Sequence, residues 1–96
     1  VSVEVSGQEV FEATSKDKSI IVTVDLDGAT LGVQLEPEAM ELADFELSNR
    51  IQRLNTLAFL RSQLAIRLKW EAANKMVRSP LPTEKQVQRY AATIDF

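Results

Sequence analysis

Apolar residues recur at every second position over Val1, Val3 and Val5, and again over Ile20, Val22 and Val24; from Leu47 onward they recur at steps of three and four. A period of two puts one face of a strand against a core, and a period of 3.6 does the same for a helix. The switch predicts a sheet followed by a long helix. Val1–Ser6 reads either as a short edge strand, the preferred reading, or as a loose start interrupted by Gly7. Glu9 to Thr14 is a second candidate strand, weighted by Val10 and Phe11, and Ser15-Lys16-Asp17-Lys18 is polar and turn-like. Ser19 to Asp25 is the clearest strand, β-branched through its middle. Asp27-Gly28 is a hairpin signal of the type I′ kind, because such a turn needs the positive φ that glycine tolerates. Ala29 to Leu35 is the return strand, with Leu31, Val33 and Leu35 facing inward. The expected fold is α+β: an antiparallel meander of three or four strands within residues 1–35, one long helix and a short C-terminal helix, all in a single domain spanning 1–96.

Pro37 removes a ladder donor and ends the sheet, and Pro37 to Met40 suits a single helical turn. Asp44 is expected as the N-cap of the long helix, with Glu46 near the positive end of its dipole. Asp44 to Arg78 contains neither glycine nor proline. A helix of that length runs roughly 52 Å, against roughly 23 Å for strands of about seven residues. Half of it has no sheet beneath it. Leu47, Ile51, Leu54, Ala58, Ala65, Leu68, Ala72 and Met76 form the stripe expected to cover the sheet, broken at Arg61 and widened by Leu57, Leu60 and Leu64. Phe59, Ile66, Trp70, Ala73 and Val77 form a second stripe confined to the distal half. A helix apolar on one face early and on two faces late is expected to contact two different things. The second stripe is the candidate dimer or partner interface. Trp70 reads equally as ordinary core or as the anchor of that interface, since tryptophan is enriched at binding hot spots. Ser79-Pro80-Leu81-Pro82 ends the helix, and Thr83 caps a short one over 83–93.

Charge sharpens this picture. The net charge of −3 conceals two bases against eleven acids in residues 1–46, and nine bases against three acids in residues 47–96. The basic half invites either the acidic half or an outside polyanion. Arg50, Arg53, Arg61, Arg67, Lys69, Lys75 and Arg78 all lie on the long helix and are the candidate nucleic-acid residues. They do not form one clean stripe, so the preferred reading makes them basic flanks of an apolar interface.

The chain has no cysteine and no histidine. Disulfides, thiolate metal sites and a serine–histidine triad are excluded within it, which fits a reducing, cytoplasmic setting. Glu36, Glu38, Glu41, Asp44 and Glu46 cluster at the sheet-to-helix junction, but their spacing is not that of an EF-hand and the turn glycine is missing; a solvated helix start is the favoured reading. Asp25 and Asp27 flank a turn, and a turn-forming role is favoured over paired acid–base catalysis. No phosphate-binding glycine loop, cofactor motif, small-molecule site or run of 18 apolar residues is found, and no signal-peptide pattern is visible. The chain opens on Val1 rather than Met, consistent with a processed end or with further sequence upstream.

Phe11-Glu-Ala-Thr-Ser15, Ile21-Val-Thr-Val24, Asp27-Gly28 with its return strand, Leu35-Glu-Pro37 and the Leu47/Ile51/Ala58 helix together resemble the small YbaB/EbfC-like proteins over roughly residues 9–70. Leu81-Pro-Thr-Glu84 followed by Tyr90-Ala-Ala-Thr93 is similar to the end of the YbaB-like accessory proteins associated with mycobacterial type VII secretion. There are departures. Asp17-Lys18 stands where family members usually carry Asp-Gly, and a Val–Ser alternation replaces the opening helix that helps YbaB proper to clamp DNA. The resemblance implies a homodimer in which the sheets and long helices of two subunits pack together. It implies a non-enzymatic, protein-binding accessory or chaperone-like module without cofactor. Nucleoid-associated DNA binding is the alternative.

Overall fold

The computed structural model describes residues 9–73 and 80–96. The Val1–Ser6 alternation, and Lys75, Met76, Val77 and Arg78, lie outside the described residues. Three antiparallel strands, β1 (Val10–Thr14), β2 (Ile20–Asp25) and β3 (Thr30–Leu35), form a meander in the order β1-β2-β3. The fold is α+β, the sheet being followed by the short α1 (Pro37–Met40), the long α2 (Asp44–Ala72) and α3 (Glu84–Ala91). β2 is the central strand, and its alternation works as a half-buried pattern should: Ile20, Val22 and Val24 are fully buried while Ile21, Thr23 and Asp25 are not.

Both hairpin turns use a left-handed residue. In the second, Asp25 and Ala29 close the loop and Gly28 N–H donates to the Asp25 carbonyl, with Gly28 at φ +87°. Gly28 and Lys18 are the positive-φ residues described, so Leu26 and Asp27 sit at negative φ. The turn is therefore a type I turn completed by a left-handed glycine rather than the type I′ turn expected. Gly28 also has no room for a side chain, because a Cβ there would lie 2.5 Å from Cδ1 of Phe59. In the first turn Lys18 takes the left-handed position at φ 64°. Side chains hold that turn: Asp17 Oδ1 accepts hydrogen bonds from both serine hydroxyls and from Ser19 N–H, while Ser15 Oγ accepts from Ser19 and Ile20 N–H.

β3 departs from expectation. Leu35 alone is partly buried; Leu31 is half-exposed and Val33 is 41% exposed. One cause is a bulge opposite Thr23/Val24, which sets Thr30 rather than Leu31 across from Val24. The other is placement: α2 lies over β1 and β2, and β3 runs beyond its edge. Val33 pairs with buried Val22, so its side chain is on the helix side of the sheet yet has little above it.

α2 is 29 residues, about 43 Å, against strands of five or six residues. Its described span closes at Ala72, with Ala73 at φ −89°, ψ 9° bonding back onto Lys69 and Trp70; the rest of the expected span to Arg78 lies outside the described residues. Its N-cap is Ala43, with no side-chain bond; Asp44 is instead the first helical residue, and Asp44 and Glu46 supply first-turn negative charge. Leu54, Leu57, Ala58 and Ser62 are buried along its middle. The Gly28 turn lies beside Phe59 and Ser62 and marks the end of the sheet. The last ten or so residues of α2 project past that end, which is the overhang inferred from lengths alone. The sheet-covering stripe accordingly stops before Leu68, which is half-exposed.

The chain returns antiparallel to α2. Arg67 donates to the Leu81 carbonyl and Arg53 to the Thr93 carbonyl, tying both ends of the return. Thr83 caps α3 in a full capping box with Gln86. Val87 and Ile94 are buried, and Tyr90, Ala91 and Phe96 pack beside them. Lys16 N–H bonds the Phe96 carbonyl, joining the chain end to the first turn.

Candidate functional site

The second stripe of α2 starts at the Gly28 turn and runs outward. Phe59 lies against the turn and is 40% exposed; Ile66 is partly covered; Trp70 is 39% exposed and Ala73 is exposed. Successive steps of three, four and seven along one helix keep these side chains on one flank. That flank is opposite the one that carries Arg53, Leu57, Leu60, Leu64 and Arg67, along which the 80–96 segment returns. Val77, the last member, lies outside the described residues.

The candidate nucleic-acid residues are spent internally. Arg50 pairs with Glu46 at 2.7 Å, and Arg50 and Arg53 both lie over the Phe96 ring at about 5 Å. Arg53 also faces Asp95. Arg61 donates to the Glu12 carbonyl at 2.7 Å, Arg67 clamps the Leu81 carbonyl and Glu71, and Lys69 reaches Glu9 at 2.9 Å. The five described cations point to at least three sides of the helix and each meets an internal acceptor. Lys75 and Arg78 lie outside the described residues. Of these contacts, Glu46–Arg50 and Glu9–Lys69 join an acid of the acidic half to a base of the basic half; the others stay within residues 47–96 or end on backbone carbonyls.

Two surfaces were not legible in the sequence. The first is the outer edge of β1. Ser15 N–H donates to the Ile20 carbonyl, so by alternation the groups of Glu12 point away from β2. Arg61 covers that edge. The second is the outer edge of β3, with Val33 beside it. A shallow apolar concavity of about 350 Å³ runs along α2, lined by Asp44, Leu47, Ser48, Ile51 and Gln52. Asn55 lies on the same flank and accepts from the Thr30 hydroxyl, which sets this concavity on the β3 side of the helix. Phe45, 79% exposed, stands at its start. The absence of any charged residue between Thr30 and Leu35 was the available signal.

Asp17 is held down to about 2 by the Ser19 N–H and by the Ser15 and Ser19 hydroxyls, an arrangement that builds the turn. Among the described residues no group of three or more carboxylates is placed to hold a metal ion, and no helix is long and apolar enough to cross a membrane. Comparison with family models, with curated proteins and with solved structures finds no match to this chain.

Proposed function

We propose that this chain is a non-enzymatic, cytoplasmic, self-associating protein-binding module of the accessory or chaperone-like kind, similar to the YbaB-like proteins associated with type VII secretion. One observation carries the reading: α2 overhangs its sheet, and its second stripe leaves Phe59, at the turn, and Trp70, on the overhang, 40% and 39% exposed. Side chains of that size gain about 25 cal/mol for each Å² of apolar area taken out of water, so a partner surface here is strongly favoured. A second copy is the simplest partner, and a small domain gains stability from it. Trp70→Ala is expected to weaken self-association by several-fold or more. Sedimentation equilibrium of both proteins reads this directly. An unchanged monomer–dimer equilibrium removes Trp70 from the interface, and a wild type that stays monomeric at high micromolar concentration removes the reading.

DNA binding of the nucleoid-associated type is the weaker reading. Neutralising phosphates with Arg50, Arg53, Arg61, Arg67 or Lys69 requires breaking internal pairs first. Duplex affinity measured against salt decides it: a slope equal to several phosphate contacts restores it.

A further inference from the structure

The two edges of the sheet are treated differently. β1 carries Glu12 and is preceded by Glu9, with Lys69 on the Glu9 carboxylate and Arg61 on the Glu12 carbonyl. Those are the usual devices that stop an edge from pairing: charge, and cover from another element. β3 has neither. Its sequence, Thr-Leu-Gly-Val-Gln-Leu, holds no charge and no proline. Glu36 N–H bonds the Ser19 carbonyl, so Gln34 and Gly32 share the inner ladder with Ile21 and Thr23. By alternation, the N–H and C=O of Val33 and Leu35 point outward from the sheet. On the helix side of this edge stands the 41%-exposed Val33 side chain, and the concavity lined by Leu47, Ser48, Ile51 and Gln52 opens on the flank of α2 whose Asn55 meets Thr30.

The surroundings of that edge select an occupant. From Ser19 to Asn49 there are seven acids and no base. Asp25 and Asp27 stand at the turn end of β3; Glu36, Glu38, Glu41 and Asp44 follow its other end. Among the described residues none of these six has an ion-pair partner, and only Glu46, the seventh, is neutralised by Arg50. The bases that bound this stretch along the chain are Lys18 before it and Arg50 after it, and Arg50 is taken up by Glu46. Edge-to-edge pairing of two copies brings these acids together, which is unfavourable. We propose that the β3 edge binds an extended segment of a different protein by strand addition, and that this segment is apolar at alternate positions and basic at both ends. Backbone pairing with Val33 and Leu35 supplies affinity, alternate side chains enter the space beside Val33 and Leu47, and the basic ends meet the acidic rim. This surface is distinct from the distal part of α2 and does not depend on its role.

The probe is a synthetic peptide, acetyl-Lys-Arg-Val-Thr-Val-Thr-Val-Arg-Lys-amide, titrated into the isotope-labelled full chain. Expected are amide shifts centred on Val33 and Leu35, loss of affinity with added salt, and binding weaker by about tenfold or more when glutamates replace the four basic residues. The same peptide N-methylated at alternate residues, which cannot donate to the edge, is expected not to bind. Val33→Pro removes an outward donor without touching the β2 ladder, so it is expected to keep the fold and lose binding. Equal binding of the basic and acidic peptides, binding of the N-methylated peptide, or shifts confined to α2 beyond Ser62 overturns the proposal. So does protection of the Val33 and Leu35 amides that grows with protein concentration alone, which assigns the edge to a second copy.

Discussion

Replacing Gly28 with alanine tests the joint between the sheet and the helix. Two costs arise. A residue with a Cβ at φ +87° pays about 1–2 kcal/mol in backbone strain. The new methyl also falls 2.5 Å and 2.6 Å from two carbons of the Phe59 ring, too close for either to stay. Forced repacking costs about 1–3 kcal/mol, and the lower end applies because Phe59 borders solvent and can swing outward. The sum is about 2–4 kcal/mol, a large part of the roughly 5–14 kcal/mol expected for 96 residues. At about 4–8 °C per kcal/mol, the melting temperature should fall by about 8–32 °C. Circular dichroism melts of a four-protein cycle separate the terms. In a Phe59→Ala background the steric term vanishes and only the backbone term remains, so a coupling of about 1 kcal/mol or more is expected. Equal penalties for Gly28→Ala in both backgrounds would refute the packing of Phe59 on the turn, and with it the point at which α2 is said to leave the sheet.

Two further outcomes follow from the turns and edges. Asp17 has its folded pKa depressed to about 2, so its contribution to stability is present above the ordinary value of 3.8 and is lost as pH falls through about 2. Asp17→Asn should therefore be less stable than wild type at neutral pH, with the gap closing between about pH 4 and pH 2; a gap independent of pH refutes the role of the ionised carboxylate. Arg61→Met should cost about 1 kcal/mol in urea unfolding through loss of the bond to the Glu12 carbonyl, and should make the protein more prone to aggregate, because the β1 edge is then uncovered. Unchanged light scattering on prolonged incubation speaks against that edge-covering role.

The local elements were legible because each rests on short-range physics. Alternation over Ile20–Asp25, the glycine at 28, the stop at Pro37 and the Thr83 cap are chain-neighbour effects, and the structure carries all four. The overhang of α2 was legible too, since rise per residue needs no tertiary information. The turn at Ala73 was not: no glycine or proline marks it, and a turn without a breaker depends on what surrounds it. Lys18 in a left-handed turn was equally hidden, because its strain is offset by the Ser15–Asp17–Ser19 hydrogen bonds around it.

What the sequence by itself determined is the order and type of the elements, the opposed charges of the two halves and the absence of histidine and cysteine. What only the tertiary structure decided is where α2 lies across the sheet. Its position over β1 and β2 buries Ala13 and Val22, leaves Val33 open, turns Arg61 and Lys69 inward to β1 and its flank, and exposes the edge of β3. The physical reason is that a period shows which face of an element is apolar, whereas which of three strands receives one helix is settled by packing among residues far apart in the chain.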